Sequence, residues 1–280
     1  AAAVVGLAAG PAAAQEWVPG KRFAESATRL FGGVTRVAEK TDFGFTEGVC
    51  FLSAFLNKGE DVQFTRDFDG GVKYAVVGGG DDGTKDLDIV ITDDAGNEVA
   101  KDTLPDNRPV VEFTPPKGGR YTIKLVMHDA GANGGFGTVG VLKAGGFVVP
   151  ARNQEAAVAN LLAACGDVDR RVKERVLFSS GSNRWAVYGA MVRPGADVTV
   201  NMAPPGAGRH VWVAAGDTTA EDVDSYLFNS AMKLLAKDEL DDARPVLDYR
   251  TDAGAAYTLR VKNVRSRGAS LLLTATLALD

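Results

Sequence analysis

The chain has 280 residues, of which 45% are hydrophobic, 24% are charged and 8% are aromatic, and its formal net charge is -5. This composition is typical of a folded globular protein and excludes a disordered or collagen-like chain. With 31 basic against 36 acidic residues there is no basic excess to attract phosphates, so nucleic acid is not an expected partner.

The first fourteen residues are small and apolar, and they end in Ala12–Ala14 before the polar pair Gln15 and Glu16. This pattern predicts residues 1–14 as the remnant of a signal peptide, with cleavage after Ala14. The alternative is an uncleaved anchor helix, but a membrane span needs about 20 apolar residues. We therefore expect a mature chain without a membrane span, in the periplasm or outside the cell.

An internal repeat sets the domain organisation. The triplet Asp86–Asp88 recurs as Asp222–Asp224, which is 136 residues later, and this offset holds from residues 59–62 to residues 121–122. Chance similarity between two strand-rich stretches would not keep one offset through loops as well as strands. We predict two domains, residues 15–150 and residues 151–280, each with a helical segment followed by a β-sandwich.

Each copy starts with a segment of mixed polarity. Residues 21–40 predict a helix that Gly32 and Gly33 interrupt, and residues 153–176 predict an amphipathic helix.

The first copy also contains a glycine-rich run at residues 78–83. It lacks the lysine that phosphate binding requires, and it predicts a flexible loop between strands.

The rest of each copy alternates apolar and polar residues with a period of two. Tyr121, Ile123 and Leu125 alternate with polar residues, as do their counterparts, and turns rich in Gly, Asp and Asn separate the short runs. No regular alternation of strands and helices is present, which disfavours a parallel α/β enzyme fold. The fold class that follows is mainly β, with antiparallel sandwiches.

Residues 80–100, with residues 111–115 and 119–123, resemble a bacterial pre-peptidase C-terminal domain. The resemblance covers about residues 51–125 and, more faintly, residues 187–261. It implies two tandem jelly-roll-like sandwiches of a secreted bacterial protein, without catalytic activity of their own. The second copy departs from the family pattern at Ser225–Asn229 and at Met232 and Lys233.

Enzyme motifs are missing from the sequence. Only His128 and His210 could act as a histidine base, and neither occurs in a catalytic motif such as GxSxG or HExxH. We therefore expect no enzymatic activity. The alternative is a hydrolase with a site between the two domains, which requires both histidines and aspartates to converge there.

A second alternative is a carbohydrate-binding accessory protein, which requires an exposed row of aromatic side chains on one sheet. The three tryptophans are far apart in the sequence, and we interpret them as core residues: Trp17, Trp185 and Trp212.

Aspartates cluster around one strand of each copy and its loops. Calcium prefers such oxygen ligands, which makes Asp86, Asp88 and Asp102 the candidate metal ligands of the first copy. Their equivalents in the second copy are Asp222, Asp224 and Asp238. Aspartates at strand ends also hold turns by accepting backbone N–H bonds, and this is the preferred interpretation. No other cofactor is expected.

Cys50 and Cys165 are the only cysteines. An oxidising compartment allows a disulfide between them, but they occupy non-equivalent places in the repeat. We expect two free thiols, with a disulfide as the alternative. Taken together, the sequence predicts a non-catalytic binding or scaffolding protein whose partner is a cell-envelope protein or a polysaccharide.

Overall fold

The computed structural model describes residues 19–179, 184–202 and 206–280. The predicted signal peptide and Trp17 lie outside these residues. The chain forms two compact units. The first unit contains Lys21–Ala151 and the described part of Ser180–Tyr188, and the second contains Arg152–Ser179 and Gly189–Asp280.

Nine strands and one helix belong to the first unit. They are α1 (Gly20–Ala38), β1 (Phe43–Phe45), β2 (Gly48–Leu56), β3 (Asp61–Phe68), β4 (Tyr74–Gly80), β5 (Thr84–Asp93), β6 (Glu98–Asp102), β7 (Val110–Phe113), β8 (Gly119–Ala130) and β9 (Gly135–Ala144). In the five-stranded sheet β1 and β2 both pair with β9, which is followed by β4 and β7. The four-stranded sheet has the order β3-β8-β5-β6.

The second unit repeats this arrangement. Its elements are α2 (Ala151–Asp169), β10 (Val176–Phe178), β11 (Val187–Val192), β12 (Asp197–Met202), β13 (Gly208–Gly216), β14 (Ala220–Asn229), β15 (Leu234–Asp238), β16 (Val246–Thr251), β17 (Tyr257–Ser266) and β18 (Ser270–Leu279). Here β10 and β11 pair with β18, followed by β13 and β16, and the second sheet has the order β12-β17-β14-β15. The prediction of a mainly β fold with antiparallel sandwiches is confirmed.

The strand irregularities recur at the same offset as the sequence repeat. In β5 the register against β8 shifts on both sides of Asp86, whose partner is Asp129. In β14 the register against β17 shifts on both sides of Asp222, whose partner is Arg265. A bulge re-aims the side chains around it, and both units therefore present their outward carboxylates in the same way.

The core of the first unit lies between its two sheets. Buried side chains from both sheets fill it, among them Leu52, Ile89, Ile123 and Val139. Trp185 joins this core, and its Nε1 donates a hydrogen bond to the carbonyl oxygen of Gln63 at 2.9 Å. Burial of each large apolar side chain contributes roughly 1.5–3 kcal/mol. In the second unit Trp212, Leu227, Leu259 and Leu273 are likewise buried.

Helix α1 covers the five-stranded sheet of the first unit. Its Phe23 packs edge-on against Phe51 and Phe136, with ring centroids 6.2 Å and 6.1 Å apart. A Cβ atom at Gly79 would lie 2.5 Å from the backbone nitrogen of Leu30, so only glycine lets the helix approach this closely. The prediction of a flexible loop over residues 78–83 is wrong for residues 78–80, which form the buried end of β4, whereas residues 81–83 do connect β4 to β5.

Helix α1 also continues through Gly32 and Gly33, where the sequence predicted an interruption. A Cβ atom at Gly33 would lie 2.6 Å from Cγ1 of Val77 in β4. The gain from packing the helix on the sheet outweighs the cost of about 1 kcal/mol that a glycine adds inside a helix.

The second unit places its helix similarly. Asn160 of α2 donates from Nδ2 to the carbonyl oxygen of Gly216, at the end of β13, at 2.9 Å. Neither helix of the described chain is long and apolar enough to cross a membrane. In the first unit the helix covers one sheet, and the outward residues of the four-stranded sheet, such as Thr122, Lys124 and His128, stay partly or fully exposed.

Candidate functional site

The predicted metal ligands lie on or near the exposed face of each four-stranded sheet. Asp102 does not share that face with Asp88, because Asp102 pairs with the core residue Ile89. Its Oδ1 accepts the N–H of Leu104 at 3.1 Å, and its Oδ2 accepts the N–H of Val110 at 2.8 Å. Asp102 therefore holds the loop between β6 and β7.

Asp238 does the same in the second unit. Its Oδ1 accepts the N–H of Leu240 at 3.1 Å and its Oδ2 accepts the N–H of Val246 at 2.9 Å. This repeats the turn-holding role that the sequence analysis preferred for such aspartates.

Asp86 and Asp88 do come together on the outer face of β5. Oδ2 of Asp86 lies 3.2 Å from Nδ1 of His128, while one buried oxygen of each aspartate has no hydrogen-bond partner within the described chain. Asp88 is only 8% exposed. Burial, followed by the charge of Asp86, raises the pKa of the Asp88 carboxyl.

The equivalent pair in the second unit has different surroundings. The hydroxyl of Tyr226 lies 2.9 Å from a carboxylate oxygen of Asp224 and 2.9 Å from one of Glu239. Burial, followed by those carboxylates, raises the pKa of Tyr226. Burial and the charge of Asp224 also raise the pKa of Asp222, which Arg265 partly offsets from 3.9 Å away.

No three His, Cys, Asp or Glu side chains in the described residues are placed to hold a metal ion. The structure brings Asp86 next to Asp88 and Asp222 next to Asp224, and it directs Asp102 and Asp238 into loops. Calcium at these carboxylates stays a prediction.

The tip of the β14–β15 hairpin carries a surface that the sequence analysis noted only as a departure from the family pattern. Phe228 and Leu234 are cross-strand partners, and Met232 lies in the turn between them. The guanidinium carbon of Arg260, on the neighbouring strand β17, lies 4.5 Å from the ring centre of Tyr226 and 5.4 Å from that of Phe228. We call Phe228, Met232, Leu234 and Arg260 the hairpin surface.

Two of these side chains are exposed apolar groups. Met232 is 61% exposed and Leu234 is 43% exposed. Met232 is also the single residue other than glycine with a positive φ in the described chain, at 57°. This left-handed conformation costs a side-chain-bearing residue roughly 1–2 kcal/mol, and such strain is concentrated at functional sites.

The first unit has a different surface at the same places. The residues 136 positions earlier than Tyr226, Phe228, Met232, Leu234 and Arg260 are Val90, Thr92, Gly96, Glu98 and Lys124. The pairing register is also the same, since Thr92 faces Glu98 as Phe228 faces Leu234. The second unit therefore has an aromatic and apolar patch where the first has a polar turn with glycine at its tip.

The two histidines have separate surroundings. His128 is on the exposed face of β8 beside Asp86. His210 is buried in β13, where its Nδ1 lies 2.9 Å from the hydroxyl oxygen of Thr251. A buried histidine on a strand is not accessible to a substrate, so His210 acts as a core residue.

Cys50 and Cys165 are both buried, and no disulfide joins them in the described chain. Burial raises the pKa of Cys165, which keeps the thiol protonated and unreactive. Trp185 and Trp212 are buried, as the sequence analysis expected of core residues.

Comparison with known proteins gives distant structural similarity alone. No protein-family model matches the chain, and no curated protein matches it significantly. Among solved structures, the pre-peptidase C-terminal domain of a collagenase from Bacillus anthracis is 17% identical, with a TM-score of 0.29 over 33% of this chain and 88% of that one.

Two other similar structures come from exported proteins. PliG of Aeromonas hydrophila, a periplasmic inhibitor of g-type lysozyme, is 13% identical over 34% of this chain and 85% of its own, with a TM-score of 0.26. The PBSX exported protein XepA is 12% identical over 83% of this chain and 86% of its own, also with a TM-score of 0.26. Scores this low carry no argument about function, and the fold description rests on the strand pairing.

Proposed function

We propose that this chain is an exported, non-catalytic binding protein that contacts a protein partner through the hairpin surface of its second unit. The observation that carries the proposal is the difference between the two units. Where the first unit has Gly96 and Glu98, the second exposes Met232 and Leu234. Exposed apolar groups of this kind, grouped with an aromatic ring and an arginine, are typical of protein interfaces.

The family resemblance fits this role, since pre-peptidase C-terminal domains are non-catalytic modules of secreted proteins. We propose two such domains, residues 15–150 and 151–280, whose export is directed by residues 1–14, which are then removed. Duplication of a binding module lets one copy keep a polar surface while the other acquires a contact surface.

A pull-down from the envelope fraction of the source bacterium tests the proposal. The double variant carries Met232→Gly and Leu234→Glu, which introduce the residues found at the equivalent positions of the first unit. Glycine readily adopts the positive φ of position 232. Leu104→Glu is the matched control, because Leu104 is 64% exposed and belongs to the first unit. We expect a protein prey that wild type and control retain and the double variant loses.

Three results would reject this function. A prey that binds the double variant as well as wild type would place the contact elsewhere. Retention of a polysaccharide in place of a protein would establish the carbohydrate-binding alternative. Turnover of an envelope substrate by the purified chain would establish the hydrolase alternative.

A further inference from the structure

Arg260 is unusual among the arginines of its sheet. In the described chain no carboxylate lies within ion-pair distance of its guanidinium, and its buried Nε has no hydrogen-bond acceptor. By contrast Arg265, on the same strand, contacts Glu221, Asp222 and Asp241. The guanidinium carbon of Arg260 instead lies over the rings of Tyr226 and Phe228.

This arrangement leaves a positioned cation with unused donors. A guanidinium presents its N–H groups in a planar fork that matches a carboxylate, and stacking on aromatic rings fixes the fork before a ligand arrives. Lys233, in the hairpin turn, also has no carboxylate within ion-pair distance among the described residues, whereas Lys237 is paired with Glu239. Arg260 and the neighbouring Lys233 therefore place two positive charges without an ion-pair partner in the described chain at this hairpin, on a chain whose net charge is -5.

The apolar part of the surface sets a second condition on the ligand. Phe228 pairs with Leu234 beside Arg260, and Met232 and Leu234 are exposed at the same hairpin tip. A sugar ring would need an open aromatic face, but Tyr226 is 9% exposed and Arg260 lies over both rings. A flexible methionine adapts instead to an apolar side chain of a protein.

We infer that the hairpin surface binds a protein segment in which a carboxylate lies next to an apolar side chain. The carboxylate takes the free donors of Arg260, and the apolar side chain packs on Phe228, Met232 and Leu234. This inference rests on the proposed function and adds to it the chemistry of the partner.

The test uses the full chain and an array of twelve-residue peptides that each combine Asp or Glu with a neighbouring Leu or Phe. A matched array replaces every Asp and Glu by Asn and Gln. We expect binding to acidic peptides that weakens with salt and that Arg260→Gln lowers about tenfold or more, since hydrogen bonds to charged groups are the strong ones. Arg260→Lys should lose part of the affinity, because lysine keeps the charge without the planar fork.

Arg265→Gln is the control variant, since Arg265 lies on the same strand with its charge already paired. Equal binding to both arrays, no binding to either, or equal loss with Arg260→Gln and Arg265→Gln would overturn the inference. A prey that requires Met232 and Leu234 but ignores Arg260→Gln would also overturn it while leaving the proposed function intact. A prey that the double variant retains would remove the proposed function itself.

Discussion

Asp81 provides a quantitative test of what holds the first unit together. It lies between β4 and β5 and is fully buried. Its Oδ1 accepts the N–H groups of Gly83 and Thr84, each at 3.0 Å, and the Thr84 hydroxyl at 2.9 Å. Its Oδ2 accepts the N–H of Phe136 at 3.1 Å and lies 2.6 Å from Nε of Arg22.

Replacing Asp81 by Ala removes the acceptor of the N–H groups of Gly83 and Phe136 and of Nε of Arg22, whose terminal nitrogens keep the carbonyl oxygens of Asn133 and Gly134. Removing one partner of a buried ion pair costs about 3–5 kcal/mol, and each buried donor left unpaired costs about 1–3 kcal/mol. The equivalent Asp217 accepts from the N–H and hydroxyl of Thr219 and from the N–H of Leu271, without a cation among the described residues. We therefore expect Asp81→Ala to lower the free energy of unfolding by about 3–5 kcal/mol, and Asp217→Ala by about 1–3 kcal/mol.

Hydrogen exchange with denaturant is the appropriate assay, because a chain of two units need not unfold in one step. The amide of Gly78, bonded to the carbonyl oxygen of Pro109, reports on the first unit, and the amide of Ala214, bonded to that of Pro245, reports on the second. Each substitution should lower protection mainly in its own unit. If Asp81→Ala costs no more than Asp217→Ala, or if the Gly78 amide keeps its protection, the reasoning on the buried pair is refuted.

Three further predictions concern packing, pH and calcium. Gly79→Ala should lower the free energy of unfolding by about 1–3 kcal/mol, measured by thermal unfolding, because its Cβ would lie 2.5 Å from a backbone nitrogen of α1. Gly32→Ala is the control and should not lower it, because a Cβ at Gly32 would contact nothing. The pKa of Asp88 is raised above 3.8 in the folded state. The carboxyl therefore contributes stability at low pH, and this contribution is lost as the pH rises through the folded pKa. Asp88→Asn should raise the urea midpoint at pH 7 and leave it unchanged below pH 3.8. Thermal melts in EDTA and in excess Ca²⁺ should coincide, and a Ca²⁺-dependent rise that Asp86→Asn abolishes would establish the metal site instead.

The strands were predictable from the sequence because their signal is local. The alternation at Tyr121, Ile123 and Leu125 reports directly that one side of β8 is buried. The need for glycine at position 79 was not predictable in this way, because it arises from contact with α1, which precedes Gly79 by about fifty residues in the chain. Long-range packing decides such positions.

The candidate site was only partly predictable. The repeat showed that Met232 occupies the position equivalent to Gly96. Only the structure shows that Met232 is exposed and has a positive φ, and these two properties make it a candidate contact residue. The grouping of Asp86, Asp88 and Asp102 as metal ligands could not be checked from the sequence for a related reason. The pairing register places Asp102 on the opposite face of the sheet from Asp88.

The hairpin tips of the two units are held in the same way, which has a consequence for engineering. Oδ1 of Asp93 accepts the N–H groups of Ala95 and Asn97, and Oδ1 of Asn229 accepts those of Ala231 and Lys233. The first unit therefore has a hairpin of the same shape that lacks the residues of the hairpin surface. Transplanting the four hairpin-surface residues onto Thr92, Gly96, Glu98 and Lys124, with tyrosine at Val90, would build a second copy of the hairpin surface, and a partner that binds this surface should then bind the chain twice.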